Sequence, residues 1–210
     1  MRKVNKGAQC EDFEKFNRSP HTNWSETEGR SRIWREHILK NEQDGLSGYT
    51  EAPVKLDSSH IDHFRKQALF QDYIFRWENY VVDSVDEDYG AKYKDRHIST
   101  KDDNLKLINP VKEDAERFFY YEATGKMVPA LGLNDRDKER ARFTIEKFNL
   151  NHSSLKERRR LILNLNLDSY KDYSDDELLQ ILSADGFISV AQQTVNEWKE
   201  TKNDLNDDKR

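Results

Sequence analysis

Cysteine is almost missing from this sequence: Cys10 is the only one among 210 residues. One cysteine cannot close a disulfide within the chain, and it cannot supply the thiolates of an ordinary structural zinc site. Long apolar runs are missing too. None approaches the roughly 20 residues that span a bilayer, so no membrane partner is expected. The opening Met1-Arg2-Lys3-Val4-Asn5-Lys6 has no apolar stretch behind its basic residues, which is not the make-up of a secretory signal. These absences lead to the expectation of a cytoplasmic protein without disulfides. There is no excess of positive charge either: 35 Lys and Arg stand against 40 Asp and Glu, a net charge of −5. A protein that grips a polyphosphate by itself usually shows a basic surface. Any phosphate-binding patch here is therefore local, or a partner supplies it. No internal repeat is evident.

What is present is charge and aromatic carbon. Charged residues make up 36% and hydrophobic residues 35%, with 10 Phe, 9 Tyr and 4 Trp. Large rings bury much area each, so a core is attainable, though a thin one of the kind a partner chain can complete.

Residues 1–30 are polar and irregular, with Phe16 and Trp24 as isolated anchors. From about Ser31 the pattern turns helical, with Ile33, Trp34, Ile38 and Leu39 near one face and Asp44-Gly45 ending it. Residues 46–56, which include Pro53, suit a short hairpin or loop. His60 to Phe64 reads as a strand and Tyr80-Val81-Val82 as a second. Residues 88–97 suit a short helix. Phe118-Phe119-Tyr120-Tyr121 followed by Thr124-Gly125-Lys126 suggests a hairpin. Beyond Asn134, which can cap a helix burying Ala141, Ile145 and Phe148, the reading is helical. Ser154 with Glu157 and Ser174 with Glu177 have capping-box spacing. Ile188, Ala191, Val195 and Trp198 form the stripe of a last helix.

Three segments carry the chemistry: His60-Ile61-Asp62-His63-Phe64-Arg65, Trp77-Glu78-Asn79-Tyr80 and Glu87-Asp88-Tyr89-Gly90-Ala91-Lys92. Phosphodiester hydrolysis needs an activated water, an acceptor for its proton and a cation near the leaving oxygen. A neutral imidazole accepts a proton near pH 7, and carboxylates suit Mg²⁺. Asp62 and His63 are adjacent, so on a regular strand they point to opposite faces. A bulged backbone, or a metal at the strand edge, is needed to bring both to one phosphate. Taken singly these residues are unremarkable. An Asp-His pair is common on loops, His60 with His63 is half a zinc site with no cysteine nearby, and Asp88 sits in an acidic run. Their order and spacing carry the signal.

Asp-His, an Asn sixteen residues after the His, and a potential ligand nine residues further on resemble the HNH endonucleases. More narrowly, the chain resembles the PtuB-like nuclease subunits of Septu-type and retron-associated anti-phage systems. The opening Arg2-Lys3-Val4-Asn5-Lys6-Gly7, the helix Trp34 to Gln43, Glu51, Trp77-Glu78-Asn79, Ile108-Asn109-Pro110 and Thr144-Ile145-Glu146 share in the likeness. The resemblance implies an α+β fold: a ββα-metal nuclease core with an N-terminal helix and a helical C-terminal extension. The expected division is residues 1–130 as nuclease domain, 131–200 as a helical extension that docks a partner, and 201–210 as a flexible tail.

Carried over by position, the resemblance makes His63 the general base and Asn79 the residue that orients its ring. Asp62 and Asp88 become ligands of Mg²⁺ or Mn²⁺. His60, Arg65, Lys92 and Lys94 are candidates for phosphate contact, although the last three are equally ordinary surface charges. The family's two CxxC pairs fall on Ser47 and Thr50 and on Ser84 and Glu87, so no structural zinc is expected. Packing by Tyr49, Phe75, Trp77 and Tyr80, or a partner interface, would have to replace it. The implied partners are a PtuA-like ATPase and, in retron-linked systems, a reverse transcriptase with its RNA–DNA hybrid. The expected activity is a toxic cut in DNA or in a cellular RNA such as tRNA. The alternative is an inactive HNH-fold adaptor in the same complex. A plain helical interaction protein would explain the C-terminal half but not residues 60–92.

Overall fold

The computed structural model of the chain describes residues 1–207, with side chains through residue 202. It is an α+β protein whose helices surround two small antiparallel sheets. In chain order the elements are α1 (Glu11–Phe16), α2 (Ser31–Asn41), β1 (Ser59–His63), β2 (Tyr80–Ser84), α3 (Ala91–His97), α4 (Lys101–Lys106), β3 (Phe119–Tyr121), β4 (Met127–Pro129), α5 (Asp135–Lys147), α6 (Ser153–Leu163), α7 (Asp175–Leu182) and α8 (Ile188–Asp207). No helix among the described residues is long and apolar enough to cross a membrane.

The β1–β2 hairpin is a partition between two cores. Its register runs from Ser59 opposite Ser84 to His63 opposite Tyr80, with no residue left over. Side chains of a regular strand alternate between faces. Tyr80 and Val82 therefore join an aromatic layer with Phe13 of α1 and Trp34 and Ile38 of α2. Val81 faces the other way, into a larger core with Tyr49, Phe64, Ala91, Ile145 and Phe148. Phe13 sits 5.1 Å from Trp34 and 5.0 Å from Trp77, centroid to centroid. Each fully buried ring of this kind stabilises by about 1.5–3 kcal/mol. Ile33, expected on the buried face of α2, lies half exposed beside it.

Glutamine side chains close an edge of each sheet. The buried Gln43 amide donates to the Val82 carbonyl at 2.8 Å and accepts from the Val82 N–H at 2.8 Å. Gln193 of α8 does the same for Tyr121 of β3, accepting at 3.0 Å and donating at 2.8 Å. An open strand edge would present such groups unpaired.

The boundary expected near residue 130 does not divide two cores. Residues 141, 145, 148, 150, 155, 187 and 190 share one apolar cluster with residues 49, 64, 81 and 91. The stripe assigned to partner docking is used within the chain: Val195 and Ala191 pack with Leu167, Leu178 and Leu182, and Trp198 lies against them. Helix α8 runs on to Asp207, so residues 201–207 of the expected tail are helical, and 208–210 lie outside the described residues. Asn134 caps α5 and the Ser174–Glu177 capping box opens α7, as their spacing predicts. Ser154 does not cap α6. His152 holds the cap position, and the Ser154 hydroxyl bonds its ring instead. Helix α4 is capped by Thr100, whose hydroxyl accepts from the Asp103 N–H.

Candidate functional site

Because the hairpin is regular, His60 and Asp62 lie on the face toward α3, and His63 lies on the face toward the N-terminal aromatic layer. Asp83 is opposite His60 in the register. There is no bulge to rotate Asp62 and His63 toward one point. The two residues that sequence order joins are separated by the pleat.

On the aromatic side, His63 is buried, with Trp24 edge-on at 4.5 Å and Tyr80 at 5.1 Å. Its Nε2 lies 2.9 Å from the Ile74 carbonyl and its Nδ1 lies 2.8 Å from the Gln67 amide nitrogen. These partners assign the tautomer: Nε2 carries the proton and donates, and Nδ1 accepts. Burial lowers the imidazole pKa from 6.5 to about 4, against the pull of the neighbouring Asp62 charge. The ring is therefore neutral at pH 7, with its one lone pair directed at Gln67.

Residues 64–79 connect the strands, and Asn79 ties them down. Its Oδ1 accepts from the Arg65 N–H at 2.6 Å, and its Nδ2 donates to the carbonyls of Arg65 at 3.1 Å and Tyr73 at 3.0 Å. No hydrogen bond joins Asn79 to the imidazole. The expectation that it orients the ring directly is replaced by an indirect role. It holds the segment that presents Ile74 and Gln67. A cleft of about 450 Å³, lined in part by Phe13, His21, Phe75 and Arg76, opens beside this segment, and His63 does not line it.

On the other side, Asp62 is enclosed. Lys94 of α3 donates to both its oxygens, at 2.8 and 2.7 Å, and the Tyr49 hydroxyl donates to Oδ2. Burial alone would raise the Asp62 pKa, but the Lys94 ammonium and the Tyr49 hydroxyl hold it below the ordinary range. Asp83 receives the Ser47 hydroxyl at 2.5 Å and the Ala91 N–H at 2.6 Å, and burial raises its pKa. Gly90 permits this close approach. Its φ is +75°, and a Cβ there would overlap the Asp83 carboxylate.

Asp88 does not reach Asp62. It is exposed on the turn before α3, where its carbonyl accepts from the Asn149 amide. The chain turns so that Asp83, at the strand end, takes the buried place and Asp88 stays outside. The Mg²⁺ or Mn²⁺ ligand pair expected from the sequence is thus not assembled. Both Asp62 oxygens are engaged, and no group of three or more His, Cys, Asp or Glu among the described residues could hold a metal ion. The residues present do not fit the ion.

The phosphate-contact candidates fare unevenly. Lys94 is buried on Asp62, and the Arg65 guanidinium is bonded to Asn104. Lys92 is partly exposed and pairs with Glu87. His60 faces α3, away from His63, and its Nδ1 is buried without a partner. The four positions that the resemblance matches to cysteines, Ser47, Thr50, Ser84 and Glu87, include turns closed by hydroxyls. Ser47 Oγ accepts from the N–H groups of Tyr49 and Thr50, Thr50 Oγ1 from Ala52, and Ser84 Oγ from Asp86. Glu87 is exposed and bonded to Arg96.

Sequence reasoning missed Gln67 and Asp83 and read Tyr49 only as a packing ring, not as the donor to Asp62. Strand alternation could have placed Asp83 with Asp62, but nothing local marks Gln67 or the Tyr49 donor. No family model and no curated protein matches the chain.

Proposed function

We propose that the chain is an HNH-type phosphodiesterase that cleaves nucleic acid with His63 as general base, as the toxic effector of a cytoplasmic anti-phage complex. One arrangement carries this reading: a neutral imidazole at the end of a hairpin strand, its tautomer set by the Ile74 carbonyl, its remaining lone pair covered by the Gln67 side chain. The order hairpin, then α3 on one face, supports a ββα core. When Gln67 turns aside, a water takes its place on Nδ1. The water gives its proton to the imidazole as it attacks phosphorus, the P–O bond to the leaving oxygen breaks, and that oxygen takes up a proton from solvent while the imidazolium returns its own to solvent. The nucleophile is water, so the chemistry needs no 2′-hydroxyl and suits DNA and RNA alike. A PtuA-like ATPase, and in a retron-linked system a reverse transcriptase with its RNA–DNA hybrid, would provide the basic surface that a net charge of −5 leaves wanting. No step is assigned to a divalent ion.

The inactive adaptor is the second reading, and the ion pair that encloses Asp62 favours it. Incubation with plasmid DNA and with total cellular RNA, of the chain alone and with the proteins encoded beside it, separates the two. The hydrolase reading expects cleavage that His63→Ala abolishes while assembly persists. Undiminished cutting by His63→Ala removes the base, and no cutting in any combination leaves the adaptor.

A further inference from the structure

Lys94 occupies a place in this fold where the chemistry calls for a cation. Its side chain is 0% exposed, and Asp62 beneath it is 2% exposed. The ammonium nitrogen lies 2.8 and 2.7 Å from the two Asp62 oxygens and 3.3 Å from the His63 carbonyl. Asp95 Oδ1 stands 3.2 Å away as a charge contact. Four oxygens from three residues thus surround one positive charge. These are hydrogen-bond distances, longer than the roughly 2.0–2.1 Å of Mg²⁺–oxygen bonds. A divalent ion would have to displace the ammonium and leave it buried without a partner, which costs several kcal/mol.

We propose that the Lys94 ammonium is the resident cation of the Asp62 carboxylate, standing where a divalent ion would bind, so that this chain takes up no Mg²⁺ or Mn²⁺ there. The arrangement has two further supports. Tyr49 donates to the same carboxylate, completing its acceptor set without a metal. Lys66 donates to the carbonyls of Asp95 at 2.5 Å and Ile98 at 2.9 Å, which pins the C-terminal turn of α3 and keeps Lys94 in place. The converse also follows. Without the ammonium, Asp62 and Asp95 would be two partly or wholly buried carboxylates around a vacated cation position, a donor set suited to a hard divalent ion. The inference does not rest on the hydrolase reading, because ion binding is measured without substrate.

The test uses the full chain and Mn²⁺ alone. In the wild-type protein, one equivalent of Mn²⁺ should leave the amide NMR signals of Asp62, His63 and Lys94 unbroadened. Selective broadening of those signals would overturn the proposal. Lys94→Gln, which removes the charge and shortens the side chain by one atom, should bind Mn²⁺ roughly tenfold more tightly than the wild type. The added Asp62→Asn exchange should abolish that gain. A folded Lys94→Gln protein that gains no Mn²⁺ affinity would also overturn it. If Lys94→Gln does not fold, the wild-type spectrum still decides.

Discussion

Gln67 places its side-chain amide 2.8 Å from Nδ1 of His63, the one ring nitrogen the backbone does not hold. Nε2 already donates to the Ile74 carbonyl, which also accepts from the Tyr80 hydroxyl. A donor on Nδ1 stabilises the neutral imidazole, so its removal should make the ring easier to protonate.

Gln67→Ala should therefore raise the His63 pKa by roughly one unit, because the donor is lost and water reaches the ring. An NMR titration of the imidazole measures this. On the hydrolase reading the same change also uncovers the base, so cleavage should persist. An unchanged pKa would mean that Gln67 leaves the protonation of the ring unaffected.

Acid should destabilise the protein through His63. Its pKa falls from an ordinary 6.5 to about 4 on folding, chiefly through burial and against the pull of the Asp62 charge, with the Lys94 ammonium adding to the fall. The unfolded chain takes up the proton first as pH drops. This stability is thus present above pH 6.5 and lost as pH falls toward 4, an effect on the order of 3 kcal/mol. Asp83 and Asp95, whose pKa values are raised by burial, act in the opposite sense: their contribution is present at low pH and lost as pH rises. Urea unfolding of wild type and His63→Gln at pH 7.5 and pH 5 isolates the histidine. The variant should lose less stability between the two.

Gln43→Leu should cost about 2–3 kcal/mol, because it leaves the buried Val82 N–H without its acceptor. The Val82 carbonyl keeps a bond from the Gly48 N–H at 3.1 Å, which limits the loss. Chemical denaturation gives the difference, and faster amide exchange at Val82 locates it.

Asn79→Ala should release the segment between Arg65 and Tyr73 at a cost of about 2 kcal/mol. Limited trypsin digestion should then cut after Lys66, a bond that the wild-type chain should protect. Equal protection in the variant would show that the aromatic packing of Phe75 and Trp77 is sufficient.

Much of the fold was legible before the structure. The hairpin strands, the caps at Asn134 and Ser174 and the buried stripe of α5 follow from local pattern, because strand period, capping geometry and helix period are properties of neighbouring residues. The candidate site was legible only in part. Its spacing singled out Asp62, His63, Asn79 and Asp88, but spacing along the chain does not state which face of a pleat each side chain takes. The unbroken register put Asp62 and His63 on opposite faces. The turn at Gly90 left Asp88 outside and brought Asp83 in. Lys94, read from the sequence as a phosphate-contact candidate or an ordinary surface charge, is buried on Asp62 because α3 closes over the hairpin face bearing that carboxylate.

The sequence by itself determined an α+β chain, a hairpin carrying an Asp-His pair, and helices whose ends are written in their capping residues. Only the tertiary structure decided which charge Asp62 faces and which partner each ring nitrogen of His63 meets. Those outcomes depend on groups distant in the chain, Tyr49, Gln67 and Lys94, meeting in buried places where each carboxylate or ring nitrogen must find a partner.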